Sequence, residues 1–275
     1  MKFEMTISES ARLRRQKKLA SLRPLDDILM KQMFKDDVNF TECVLRILLD
    51  NKSLRIVETL AEHTIDLRAV KARSLCLDVL AADDAGKKCN IEVQRASYGA
   101  NRWRARYHAS VLDVDCVKPS DNLDEGMPEV HVIFLTEHDV FGRGLPMYHC
   151  DTAIRELGEL FAEGRHILYV NTEFRGDSEV GKLTHDFCCS DPDKMLLPFM
   201  AERTRYLKLS EKGASNMNYV MDEYEKEILL EGKKEMAVKM YKKKFSLADI
   251  AECSGLSEAQ VLESVREAEA AAANN

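Results

Sequence analysis

From Pro24 the apolar positions recur at helical spacing. Leu25, Ile28, Leu29, Met33 and Phe34 suit one short helix; Phe40, Val44, Leu45, Ile47, Leu48 and Leu49 suit a second, with Asn39 as its cap. The period then drops to two. Residues 54–60 (LRIVETL) alternate as a strand, and LCLDVLAADDAGKKCNIEVQR at 75–95 reads as a β-hairpin. Tyr98 to Val111 returns to helical spacing, and two short apolar runs, VHVIFLT at 130–136 and HILYV at 166–170, read as buried strands. The order is helix, three strands, helix, strand, which predicts an α/β core with a mixed sheet. Past residue 190 the strand signals stop, and 193–212, 217–245 and 246–270 all read as helix. The pattern divides the chain into a polar, basic arm at 1–23, a core at 24–190 and a helical C-terminal region at 191–275.

The hairpin carries polar residues where apolar ones are expected. Taking Asp84-Ala85-Gly86 as a three-residue turn, with glycine at the left-handed place, pairs Asp83 with Lys87, Leu80 with Asn90 and Asp78 with Glu92. Gln94 then shares the face of Glu92, and Leu77, Val79, Ile91 and Val93 take the other face. Two carboxylates about 5 Å apart repel by roughly 3 kcal/mol at an effective dielectric near 20. Protonation of one acid, neighbouring cations or a bridging divalent metal would relieve this. Oxygen-only ligands favour Mg²⁺ or Mn²⁺, with the Val93 backbone carbonyl as a further ligand, and such an ion suits phosphodiester hydrolysis with Gln94 aimed at the water. Residue types alone leave a second reading open, in which the acids lie on an exposed strand face neutralised by Lys87, Lys88 and Arg95.

Composition narrows the classes. The 275-residue chain is 45% hydrophobic and 32% charged, ordinary for a globular protein, with a formal net charge of -7. Contact with nucleic acid would therefore rest on a local basic patch or a metal. The patch is offered by Arg95, Arg102, Arg104 and Arg106, interleaved with Tyr98, Trp103 and Tyr107; the aromatics are expected to face inward and some arginines outward. No apolar run reaches membrane-spanning length, and the N-terminus shows no apolar signal core, so a cytoplasmic location is expected. The eight cysteines and seven histidines show no zinc-site spacing.

Asp78 followed by Glu92-x-Gln94 on the next strand, between a helix-strand unit and a basic helix, resembles the PD-(D/E)XK nuclease superfamily. Within it, LDVLAADDAGKKCNIEVQ is similar to the L-D-V-x(3)-D-x-x-G-x-x-x-N-I-E-x-Q signature of the bacterial Rpn family of recombination-promoting, transposase-like nucleases. RARYHASVLDVD and VIFLTEHDVFGRGLPMY follow in the family's order, and the likeness covers roughly residues 25–175. It implies a restriction-endonuclease-like core and a Mg²⁺- or Mn²⁺-dependent DNA endonuclease. Asp78 and Glu92 would be the metal ligands and Gln94 would stand where the superfamily has lysine. Glutamine can hydrogen-bond but brings no charge. The superfamily often adds an acid from the first helix; Glu42 is the candidate, with Asp37 and Asp50 as alternatives. Arg95, Arg102 and Arg106 would hold the DNA backbone. A weak or inactive relative serving as a DNA- or protein-binding scaffold is the competing expectation.

The last segment, FSLADIAECSGLSEAQV at 245–261, has the look of a helix-turn-helix, with Ser246 and Ser257 as caps, Gly255 at the turn and Ile250, Leu256, Val261 and Leu262 as its core. Its second helix offers Glu258, Glu263 and Glu267 against Gln260 and Arg266, a poor surface for DNA. A packing or oligomerisation role, with a homodimer as the partner, is preferred over transcriptional regulation.

Overall fold

The structure, a computed structural model, describes residues 13, 15–67, 75–84, 86–94 and 100–273. It divides into two compact units, 1–217 and 218–275. The first extends well past the boundary expected at residue 190.

The first unit is built on a six-stranded mixed sheet. Two helices, α1 (Asp27–Phe34) and α2 (Val38–Leu48), lead into β1 (Ile56–Ile65), β2 (Leu75–Asp83) and β3 (Lys88–Gln94). Helix α3 (Arg102–Cys116) then crosses to β4 (Val130–Thr136). Strands β5 (Met147–Cys150), β6 (Ala153–Ile154), β7 (Glu159–Leu160) and β8 (Arg165–Asn171) follow. The sheet order is β1-β2-β3-β4-β8-β5, while β6 and β7 form a separate small hairpin. Strands β1 to β3 are antiparallel, β3, β4 and β8 run parallel, and β5 returns antiparallel to β8.

The β2–β3 register is the one the hairpin pattern predicts. Val79 pairs with Ile91 and Leu80 with Asn90, and Asp83 N–H donates to the Lys87 carbonyl at 3.0 Å. Gly86 takes a φ of +83°, the left-handed value that closes the turn. Both faces of the sheet are covered. Leu80, Val132, Phe134 and Tyr169 pack with Ala105, Ala109 and Leu112 of α3. By strand alternation Ile91, Ile133 and Leu135 point to the other face, where α1 and α2 pack on β1.

Several expectations change. Asp37, not Asn39, caps α2, its carboxylate accepting from Phe40 N–H at 2.9 Å. Helix α3 begins at Arg102 because the Asn101 side chain accepts from the Trp103 and Arg104 N–H groups. Strand β5 and helix α4 (Glu179–Cys188) escaped the apolar pattern. Both are short, and α4 hides an acid: Asp186 is fully buried and accepts from the backbone N–H groups of Leu196 and Leu197, each at 2.8 Å. That carboxylate fixes the entry to α5 (Pro198–Leu209).

Helix α5 belongs to the first unit, which explains the shifted boundary. Arg203 donates to the carbonyls of Gln32, Met33 and Lys35, each at 2.9 Å, at the end of α1. Lys208 likewise gathers the carbonyls of Ala20, Leu22 and Ser190, so the end of the expected N-terminal arm is tied down.

In 218–275, α6 (Glu211–Lys242) continues from the first unit, and α7 (Leu247–Ser254) and α8 (Glu258–Ala273) follow. Ala237, Ile250, Leu256 and Val261 form its core, while Leu262 is only half-buried. Ser246 caps α7, and Gly255 ends it at a φ of +66°. Among the described residues no helix is long and apolar enough to cross a membrane.

Candidate functional site

Carried one step past Val79↔Ile91, the β2–β3 register sets Asp78 opposite Glu92. Among the described residues the β2–β3 ladder ends at Val79↔Ile91, one step short of the two acids, while β3 continues beside β4 through Gln94↔Thr136. The strands therefore part where the acids stand. Asp78 backbone N–H donates to Glu92 Oε1 at 3.3 Å in place of a ladder bond.

Glu92 has 0% of its surface exposed. For Glu92 this overturns the reading in which the acids decorate an open strand face; Asp78 is half-buried. The lysines assigned to neutralise them are engaged elsewhere: Lys87 pairs with Glu129 at 2.8 Å and Lys88 with Asp115. Burial pushes the Glu92 carboxyl up to about 7, and the neighbouring charge of Asp78 pushes the same way.

Three further side chains complete the site. Asn90 Nδ2 donates to Glu92 Oε1 at 3.2 Å, and Arg104 Nη2 donates to Glu92 Oε2 at 3.0 Å. His108 Nδ1 lies 3.2 Å from Asn90 Nδ2 and 3.6 Å from Glu92 Oε1. Burial and the Arg104 charge hold the His108 ring down to about 4, so it is neutral near pH 7, with Nδ1 as the acceptor of the Asn90 amide. The pattern offered a signal for these partners. Asn90 is two residues from Glu92 on one strand face, and Arg104 and His108 are four apart on one helix face.

Helix α3 follows the expected orientation in part: Tyr107 packs against the core and Arg102 and Arg106 face outward, but Trp103 does not turn in. Trp103 is 59% exposed rather than inward, and Arg104 turns toward Glu92. The inward stripe is Ala105, His108, Ala109 and Leu112. Arg102 and Arg106 are exposed and flank the indole, with guanidinium carbons 4.8 Å and 5.3 Å from its ring centre. The result is a cationic, aromatic surface on the helix that supplies Arg104 to the acids. Arg95, Tyr98 and the Gln94 side chain lie outside the described residues.

Glu42 is placed elsewhere. Its carboxylate accepts from Ile56 N–H at 3.0 Å and pairs with Arg46 at 2.6 Å. Ile56 pairs with Asp83, five residues along β2 from Asp78, which is roughly 17 Å at strand rise. Glu42 thus ties α2 to the far end of β1 and is not brought to the acid pair. Asp37 is the α2 cap and pairs with Arg203 at 3.2 Å.

The donor chemistry at Asp78 and Glu92 fits a hard divalent cation. Two carboxylates are present, and Asn90 Oδ1 is buried beside them with no hydrogen-bond partner. Arg104 is the charge that stands against Glu92, and its side chain is 40% exposed, so it has room to turn aside. A second group of metal-competent ligands lies elsewhere on the sheet: Glu129, His131 and His166. Zinc-site spacing in sequence could not reveal it, because His131 and His166 come from two strands brought together by the fold and Glu129 from the residue just before the first strand.

Compared with protein-family models, with curated proteins and with solved structures, the chain matches none of them.

Proposed function

We propose that the first unit is a metal-dependent nuclease core that hydrolyses DNA phosphodiester bonds, with Asp78 and Glu92 as its metal ligands. The observation that carries this reading is a fully buried glutamate held against a second acid at the point where two strands separate. A fold gains nothing in stability from such a pair, whereas a cation that both acids can share relieves their repulsion. The helix–three strands–helix–strand order around the acids supports the restriction-endonuclease-like assignment implied by the resemblance.

When bound, Mg²⁺ or Mn²⁺ polarises the scissile phosphate and lowers the pKa of a water. The chain's own residues do the rest. Asn90 and Arg104 fix the orientation of the Glu92 carboxylate. Neutral His108 supports Asn90 without adding positive charge. Gln94, two residues after Glu92 in sequence, is assigned by the resemblance to place the water. Arg102 and Arg106, whose guanidinium groups lie over the Trp103 ring, hold the phosphate backbone.

The competing reading, a non-catalytic DNA- or protein-binding scaffold, draws support from Arg104, whose guanidinium already pairs with Glu92. Divalent-ion binding separates the two. Mn²⁺ raises the melting temperature of the wild type but not of Glu92→Gln if the acids hold a metal; equal shifts in both leave the scaffold reading standing.

A further inference from the structure

The N-terminal ends of the parallel strands β4 and β8 carry a feature that the nuclease reading does not use. His131 and His166 are directly paired in the β4–β8 register, so their side chains project from the same face of adjacent strands. Their rings stack with centres 4.6 Å apart. Glu129 lies two residues before His131, its Oε2 3.5 Å from His131 Nε2. One ring nitrogen from each histidine and one oxygen of Glu129 all lie within 4.8 Å of one another.

His131 is the informative member. It is only 6% exposed; Nδ1 has no hydrogen-bond partner among the described residues, and Nε2 has only the long 3.5 Å contact with Glu129 Oε2. A buried imidazole normally satisfies at least one nitrogen, because burying it unpaired costs on the order of 1–3 kcal/mol. His166 Nδ1 lies 2.7 Å from Asp151 Oδ1. A carboxylate only accepts, so this contact places the proton on Nδ1 and leaves Nε2 as the basic nitrogen, the usual carboxylate–histidine support of a metal ligand.

We propose that Glu129, His131 and His166 bind a divalent transition-metal ion of the imidazole-preferring class, with Zn²⁺ and Co²⁺ as its representative probes and Asp151 as the positioning residue for His166. Two imidazoles and one carboxylate form a three-ligand set that leaves a fourth position open to water. Tetrahedral coordination needs ligand atoms about 3.3 Å apart, given Zn–N lengths of about 2.0–2.1 Å. Closing from separations of up to 4.8 Å to that distance takes a swing of the exposed Glu129 side chain and a rotation of the half-buried His166 ring out of its stack on His131. Lys87 Nζ stands 2.8 Å from Glu129 Oε2 and competes with the ion for that oxygen. The site is distinct from the acid pair. Glu92 pairs with Phe134, whose side chain packs toward α3. His131 is three residues earlier, about 10 Å along the strand, and on the other face.

The test uses the full chain, stripped by chelator and kept reduced, titrated with Co²⁺ and followed by its visible ligand-field absorption, with Zn²⁺ stoichiometry measured by elemental analysis. With excess Mg²⁺ present to occupy the acid pair, the expected result is one Co²⁺ or Zn²⁺ ion per chain. Affinity falls by more than about 10-fold in His166→Gln and in Glu129→Gln, and by about 10-fold in Asp151→Asn. It rises in Lys87→Met and does not change in Asp78→Asn. Loss of binding in Asp78→Asn alone would assign the ion to the acid pair. Unchanged binding in both His166→Gln and Glu129→Gln, a thiolate charge-transfer band that persists in them, or no uptake by the wild type overturns the proposal. Because the readout is metal uptake, failure of the nuclease assignment leaves this result intact, and the reverse also holds.

Discussion

Glu92 concentrates the energetic cost of the site in one carboxyl group. Its value of about 7 in the folded chain lies above the ordinary glutamate value of 4.5. Between those pH values the folded state binds more protons than the unfolded one, so this group makes stability fall as pH rises from about 4.5 to about 7. His108 acts in the opposite sense: its folded value of about 4 lies below 6.5, and its contribution to stability grows as pH rises between them. The two windows overlap, so the informative quantity is the difference between wild type and Glu92→Gln. Without added divalent ions, denaturant titrations are expected to show the wild type losing on the order of 1–3 kcal/mol relative to Glu92→Gln across that interval. A parallel pair of pH profiles would mean that Glu92 titrates as an ordinary exposed acid. Removing the Arg104 guanidinium, which lowers the Glu92 value, moves the fall to higher pH in Arg104→Ala.

At the scale of elements, buried acids divide into those that tie structure together and those that do not. Asp186 accepts backbone N–H groups at the entry to α5, and Glu42 ties α2 to β1. Asp186→Ala is expected to cost about 2–4 kcal/mol in chemical denaturation, because it strands buried donors. Glu42→Gln is expected to lower stability by about 1–2 kcal/mol while leaving any Mn²⁺-induced rise in melting temperature intact; loss of that rise would return Glu42 to the ligand set. Helix α3 carries the surface prediction. Replacing Arg102 and Arg106 with alanine should weaken DNA binding and lower the slope of log affinity against log salt by about 2. A slope that does not move would place DNA elsewhere. The hairpin was legible because Asp84-Ala85-Gly86 fixes the register and alternation then fixes the face. The sides taken by Trp103 and Arg104 were not, since both lie beside Arg102 and Arg106 in an alternating run, although Tyr107 does pack inward and Arg102 and Arg106 do face out. What decided them was the buried Glu92, whose charge draws Arg104 inward and leaves Trp103 to be covered by arginines.

For the whole molecule, the apolar pattern yields the order helix, three strands, helix, strand, but not the extent of the first unit. Its reach to residue 217 depends on Arg203 and Lys208 finding carbonyls more than a hundred residues away, which periodicity does not report. The histidine pair was hidden for the same reason: His131 and His166 meet only because β4 and β8 are parallel neighbours. A net charge of -7 leaves little general attraction to DNA, so the proposed function relies on local positive charge such as the α3 surface. The account is tested most directly by nicking of supercoiled plasmid DNA by purified protein in Mg²⁺ or Mn²⁺, beside Asp78→Ala and Glu92→Ala variants shown to be folded. It predicts metal-dependent nicking by the wild type that drops to background in both variants; equal nicking by all three proteins, or none by the wild type in either ion, would contradict it.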